Sequence, residues 1–62
     1  DIHTMILRIV KTETEEVLLE DEFTAEEIPN VLPSWDTQAQ LYSIQTPPIS
    51  ARLEIIDPDA IP

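Results

Sequence analysis

The sequence contains no cysteine and no glycine, and these two absences exclude several classes of site. Without cysteine the chain forms no disulfide and no zinc–thiolate centre. Without glycine it has neither a phosphate-binding loop nor a nucleophile elbow, because both need close backbone approach or a strained turn. The only histidine, His3, lies near the start of the chain, so the serines lack a base for a catalytic triad. We therefore predict that the chain is not an enzyme and binds no cofactor.

Basic residues and long apolar runs are also scarce. Arg8, Lys11 and Arg52 are opposed by 13 carboxylates, which gives a formal net charge of −10 at pH 7. Binding of DNA or RNA requires lysine or arginine at several phosphates, so we expect no nucleic-acid binding. No apolar run approaches the roughly 20 residues of a membrane helix, and no signal-peptide pattern is present. We expect no membrane association and a cytoplasmic location.

The carboxylates do not by themselves form a chemical site. Glu20, Asp21 and Glu22 adjoin on a predicted strand, but glycosidase chemistry also needs a cleft, which so short a chain can hardly enclose. No segment has the spacing of an EF-hand loop. Asp57 and Asp59 lie in an extended segment that could bind a divalent ion only weakly. We predict no metal site.

The length of 62 residues limits the chain to one thin domain. A chain of this size buries only about 60% of the surface that its unfolded form exposes. Since disulfides are excluded, association with another chain is the remaining source of stability. We predict one domain over residues 5–57, with an extended tail over residues 58–62. Residues 1–4 are expected to be a disordered terminus or a cloning remnant before a native start at Met5; the alternative is a domain cut from a larger chain.

Apolar periodicity predicts β-strands at both ends of the chain. Residues 5–10 are apolar on both faces and rich in β-branched side chains, which favours a central strand. Residues 17–23 place Val17, Leu19 and Phe23 on one face, and the polar segment before them predicts a hairpin. Residues 50–57 alternate strictly, as in a strand with one buried face.

The middle of the chain is predicted to hold one short helical turn and a third strand. Thr24 and Glu27 have capping-box spacing, with Thr24 as the N-cap. Pro29 and Pro33 are expected to limit the helix to a turn or two. Residues 38–45 are predicted to be a strand. The expected fold is a small β-rich (α+β) domain with an antiparallel sheet of about four strands, in the order β-β-(short helical turn)-β-β.

Eight carboxylates lie between Glu13 and Glu27 with no basic residue among them. One hypothesis is a docking face for a basic protein, such as a nucleic-acid-handling enzyme that this chain regulates or inhibits. The alternative is a structural subunit or assembly adaptor whose acidity only keeps it soluble. The residues assigned to the acidic face are Glu13, Glu15, Glu16, Glu20, Glu22, Glu26 and Glu27.

An apolar contact surface is predicted on the second face of the sheet. No amphipathic helix is expected to cover that face, and an uncovered apolar face associates with another chain. Trp35 is either part of the core or an anchor in an interface, where tryptophan is enriched. We therefore expect a homodimer or a subunit buried in a larger assembly. The predicted apolar contact residues are Ile6, Val10, Trp35, Tyr42 and Ile44.

Overall fold

The computed structural model describes residues 2–60 and contains one antiparallel sheet with one helix packed on it. Strands β1 (Thr4–Lys11) and β2 (Val17–Thr24) form a hairpin, helix α1 (Ile28–Ile44) follows, and strand β3 (Ala51–Ile56) returns to the sheet. The strand order is β2-β1-β3. A small α+β domain with an antiparallel sheet is therefore confirmed, whereas the sheet has three strands rather than about four.

Strand β1 lies in the middle of the sheet, and its side chains form the core. Leu7 and Ile9 are fully buried and Val10 is 3% exposed. Leu7 and Ile9 lie on the same face as Leu53 and Ile55 of β3, since these residues are direct partners in the register. Helix α1 packs over β1 and β3 on this face. The central position predicted for this strand from its two apolar faces is therefore correct.

The hairpin contains one bulge and one left-handed residue. Ile9 pairs with Leu19 but Val10 pairs with Val17, so β2 has one additional residue at this point. Val17 therefore lies opposite Val10 and not on the face of Leu19, contrary to the prediction. In the loop, Glu15 has a φ of 62°, which costs about 1 kcal/mol for a residue other than glycine.

The prediction for the middle of the chain is wrong, because the 17-residue helix α1 replaces both the short helical turn and the strand predicted over residues 38–45. Pro29 lies in the first helical turn, where an N–H has no partner within the helix. Pro33 lies inside the helix and removes one backbone hydrogen bond, an effect worth about 3 kcal/mol. The Thr37 hydroxyl donates to the Pro33 carbonyl at 3.0 Å.

Burial of one side of α1 explains why the helix tolerates Pro33. Side chains spaced three or four residues apart are buried or half-buried, whereas the side chains between them are exposed. The Phe23 and Trp35 rings meet edge to face, with centroids 6.0 Å apart. Tertiary packing therefore outweighs the local preference against helix. The buried and half-buried helical residues are Ile28, Val31, Leu32, Trp35, Gln38, Ala39 and Tyr42.

The predicted capping-box residues interact, but the helix begins after both of them. Glu27, not Thr24, is the N-cap residue. The Thr24 backbone N–H donates to a carboxylate oxygen of Glu27 at 2.9 Å, and the Thr24 hydroxyl donates at 3.0 Å. These two hydrogen bonds, the backbone one above all, hold the pKa of Glu27 below its ordinary value. The ionised side chain therefore fixes the turn that links β2 to α1.

We expect replacement of Leu7 to unfold the domain or come close to doing so. L7A deletes a fully buried side chain, and such changes cost about 2–5 kcal/mol. A core of this size supplies only about 3–5 kcal/mol of net stability. Urea unfolding followed by circular dichroism measures the loss. L41A is the matched control. The Leu41 side chain is 45% exposed, so its truncation should lower the free energy of unfolding far less. Equal losses in the two variants would contradict the assigned core.

We expect E27Q to lower stability at neutral pH and to have little effect in acid. A carboxylate with a lowered folded-state pKa adds stability above the ordinary glutamate pKa of about 4.3, and loses it as pH falls through the lowered value. The difference between wild type and E27Q should therefore shrink between pH 6 and roughly pH 3. Urea midpoints across this range measure it. E26Q removes the same charge without a Thr24 contact and serves as the control; an identical pH profile for both variants would rule out the proposed turn.

Candidate functional site

Strand β2 forms one edge of the sheet and exposes carboxylates on both of its faces. Glu20 and Glu22 point away from the helix, and Asp21 points to the helix side, since it lies opposite Leu7. All three are exposed: Glu20 and Glu22 lie on the uncovered face, and α1 lies mainly over β1 and β3 rather than over Asp21. Together with the carboxylates of the adjoining loop and turn they form what we call the acidic edge. Its residues are Glu13, Glu15, Glu16, Glu20, Asp21, Glu22, Glu26 and Glu27, all of them exposed.

Part of the acidic edge is neutralised by arginine from the rest of the sheet. Arg8 Nε lies 2.6 Å from Glu20 Oε2, and Arg52 Nη2 lies 3.2 Å from Glu15 Oε1. Although no basic residue lies within this segment of the sequence, Glu20 and Glu15 thus pair with arginines from β1 and β3. Asp21 accepts a hydrogen bond from the backbone N–H of Glu22 at 2.8 Å. Within residues 2–60, the remaining members of the acidic edge form no ion pair.

The sheet face opposite the helix is a row of ion pairs across all three strands. Arg8 of β1 lies between Glu20 of β2 and Glu54 of β3 in the register. Arg52 Nε donates to Glu54 Oε2 at 3.0 Å. The Glu54 carboxylate, by accepting this bond, raises the pKa of Arg52 above its ordinary value, and Glu15 adds to the effect. The Arg52 guanidinium is thus held between two carboxylates.

The predicted apolar contact surface on this face does not exist as one patch. Tyr42 and Ile44 belong to α1 and not to a strand, and Ile44 is 74% exposed near the helix end. Val10 is buried and Ile6 is half-buried. Trp35 is also half-buried, and its packing against Phe23 gives it a structural role. The structure therefore does not bring the five predicted contact residues together.

An open apolar crevice that sequence analysis missed lies at the other edge of the sheet. It runs between the first half of α1 and β3 and has a volume of about 520 Å³. Ile55, on its β3 side, is 48% exposed. Among the described residues that line it, Asp36 is the only titratable one, so the crevice offers no pair of acid and base. The lining residues are Pro29, Leu32, Pro33, Asp36, Leu53 and Ile55.

His3 forms a cluster with Asp57 and Asp59, whereas sequence analysis treated it as a solvated terminal residue. His3 Nε2 lies 3.1 Å from Asp57 Oδ1, and His3 Nδ1 lies 3.6 Å from Asp59 Oδ2. Ligand atoms from the three side chains lie within 4.8 Å of one another. Both ring nitrogens already face a carboxylate of the same chain.

His3 and Thr4, which were predicted to precede the domain, contact its strands and the turn after β2. Thr4 begins β1, and the His3 carbonyl accepts a hydrogen bond from the Ala25 N–H at 2.9 Å. Asp1 and residues 61–62 lie outside the described part of the chain.

Comparison of the chain with protein-family models, with curated protein sequences and with solved structures finds no significant match. Function must therefore be argued from the two edges of the sheet and their chemistry. Helix α1 is too short and too polar to cross a membrane, and the described residues contain no other candidate span.

Proposed function

We propose that this chain is a non-catalytic interaction module that places its acidic edge on a basic surface of another protein and so regulates or inhibits it. The observation that supports this function is the position of the carboxylates. They occupy an edge strand and its two flanking turns, and the helix leaves this side uncovered. Of the eight, only Glu15 and Glu20 pair with an arginine within residues 2–60.

The free protein is destabilised by this arrangement, and a basic partner would relieve it. Side chains at alternate positions of a strand are about 6.6 Å apart, which is less than the Debye length of about 8 Å at physiological salt. The carboxylates of Glu20 and Glu22 are therefore close enough to repel each other, and the Arg8 contact offsets only the charge of Glu20. Lysine or arginine on a partner would remove this repulsion and accelerate association by electrostatic steering.

The alternative function is a structural subunit or assembly adaptor, and the apolar crevice beside β3 favours it. In that case the acidic edge would serve solubility and would keep β2 from pairing with strands of other chains. The two functions differ in their response to salt. Binding through the acidic edge should weaken steeply between low and physiological ionic strength, whereas apolar docking should not.

We expect loss of charge from the acidic edge to slow binding of the partner. E22Q/E26Q removes two exposed carboxylates that have no ion-pair partner within residues 2–60. D36N/D59N removes the same charge from outside the acidic edge and is the matched control. Partners are first captured from source cells with wild type and both variants as baits, and are identified by mass spectrometry. Association rates of a captured protein are then measured by stopped flow at low and physiological salt.

The proposed function requires a captured protein that E22Q/E26Q binds more slowly, by about three- to tenfold at low salt, while D36N/D59N binds it almost normally. The difference should shrink at physiological salt because screening weakens steering. If both variants associate at the wild-type rate at both salt concentrations, the acidic edge is not the contact surface and the adaptor function remains.

A further inference from the structure

Strand β3 forms the second edge of the sheet, and its outward backbone groups can be assigned residue by residue. The Thr12 N–H donates to the Ser50 carbonyl at 2.9 Å, next to the start of β3. In an antiparallel pair, hydrogen-bonded partners alternate along the strand. Arg52 and Glu54 therefore bond to β1, while Ala51, Leu53 and Ile55 direct their N–H and C=O groups away from the sheet. Within residues 2–60, no strand pairs with this side of β3.

We propose that a second copy of this chain pairs with β3 along this edge, antiparallel, with Leu53 opposite Leu53 of the partner subunit. The symmetry axis is then perpendicular to the sheet, and the two copies form one sheet in the order β2-β1-β3-β3-β1-β2. Both helices lie on the same side. The inference does not depend on the proposed function, because it concerns the opposite edge of the molecule.

Charge complementarity selects this register. With Leu53 at the axis, Arg52 lies opposite Glu54 of the partner subunit, and the same contact is repeated on the other side of the axis. These are the pairs without backbone hydrogen bonds, in which side chains approach most closely. Moving the axis to Arg52 or to Glu54 would instead place like charges opposite each other. Leu53 has its outward N–H and C=O free to bond across the axis in both directions.

The other edge of the sheet cannot form such a pair. In β2, any antiparallel pairing of two copies near its centre places carboxylates of Glu20, Asp21 or Glu22 opposite one another, which is destabilising. Pairing through β3 instead places the two β2 strands at the outermost positions. They are then five strand spacings of about 4.8 Å apart, or about 24 Å, well beyond the Debye length of about 8 Å. The net charge of −10 per chain is thus compatible with this dimer.

The apolar crevice gives the second copy a further surface to cover. Leu53 and Ile55 line it from β3, and Leu32 and Pro29 line it from α1. The β3 strand of the second copy would extend the sheet beside this crevice. The helix of the second copy would bring its own Pro29 and Leu32 to the same side of the sheet. Because the exposed Ile55 lies opposite Ala51 of the partner subunit in the proposed register, its side chain loses exposure to solvent.

Sedimentation velocity of the wild type at tens of micromolar tests the dimer, and a backbone change tests the edge. Chemical synthesis with N-methyl-leucine at Leu53 blocks the outward N–H without changing charge or side chain. By symmetry it deletes two hydrogen bonds and inserts two methyl groups, so self-association should weaken about tenfold or more. The control is N-methylation at Glu20, whose N–H points outward from β2, and it should leave the dimer unchanged. Circular dichroism verifies that both chains fold.

A charge exchange tests the register independently. R52E places carboxylates opposite Glu54 of the partner subunit and should abolish the dimer, whereas R52E combined with E54R should restore it. Both variants lose the Glu15 contact, and R52E also loses the bond from Arg52 to Glu54 within the chain, so circular dichroism must first show that R52E folds. A monomeric wild type, a dimer insensitive to N-methylation at Leu53, or a β3 edge that pairs only with a strand of a different protein would each overturn the proposal. Equal weakening by the single and the double exchange would overturn the register.

Discussion

The burial of Leu7 and Ile9 beneath one helix is the interaction on which the rest of this structure depends. The sheet has three strands and α1 lies mainly over β1 and β3, so β2 meets the helix chiefly through Phe23, which packs against Trp35. A strand in that position must be soluble on both faces, and β2 satisfies this with carboxylates on both. The acidic edge is therefore in part a consequence of how the core is covered. The uncovered strand is also the one best placed for a basic partner to contact.

The few cations of the chain have a structural use that is consistent with this arrangement. Arg8 lies in the central strand between two carboxylates, and Arg52 bonds to Glu54 and Glu15. Both arginines lie on the face that no helix covers, where exposed ion pairs add little stability individually but keep that face soluble. The arginines are thus occupied within the sheet, and the carboxylates of the outer edge remain for contacts with another molecule.

Local sequence signals predicted the strands well and the middle of the chain poorly, and the reason is physical. Alternation in β1 and β3 reflects a two-residue period that neighbouring strands reinforce. Two prolines suggested that no long helix could form after β2, yet one lies in the first turn and Pro33 is tolerated. The apolar positions Ile28, Val31, Leu32 and Trp35, followed by Ala39 and Tyr42, have helical spacing, which was the signal for α1. Propensity rules describe an isolated segment, whereas this helix is held by the sheet it covers.

Because α1 was not predicted from the sequence, only one of the two interaction surfaces, the acidic edge, could be predicted. The acidic edge follows from composition and alternation alone, because a dense run of carboxylates is exposed in any fold. The crevice is different, since it exists only where Pro29 and Leu32 of the helix meet Leu53 and Ile55 of β3. The crevice lies beside the unpaired edge of β3, so this edge offers both apolar surface and free backbone groups. A strand that pairs with another chain uses both. One edge of the sheet is thus suited to charged contacts and the opposite edge to backbone pairing, so two different contacts can form on one thin domain without competing for the same residues.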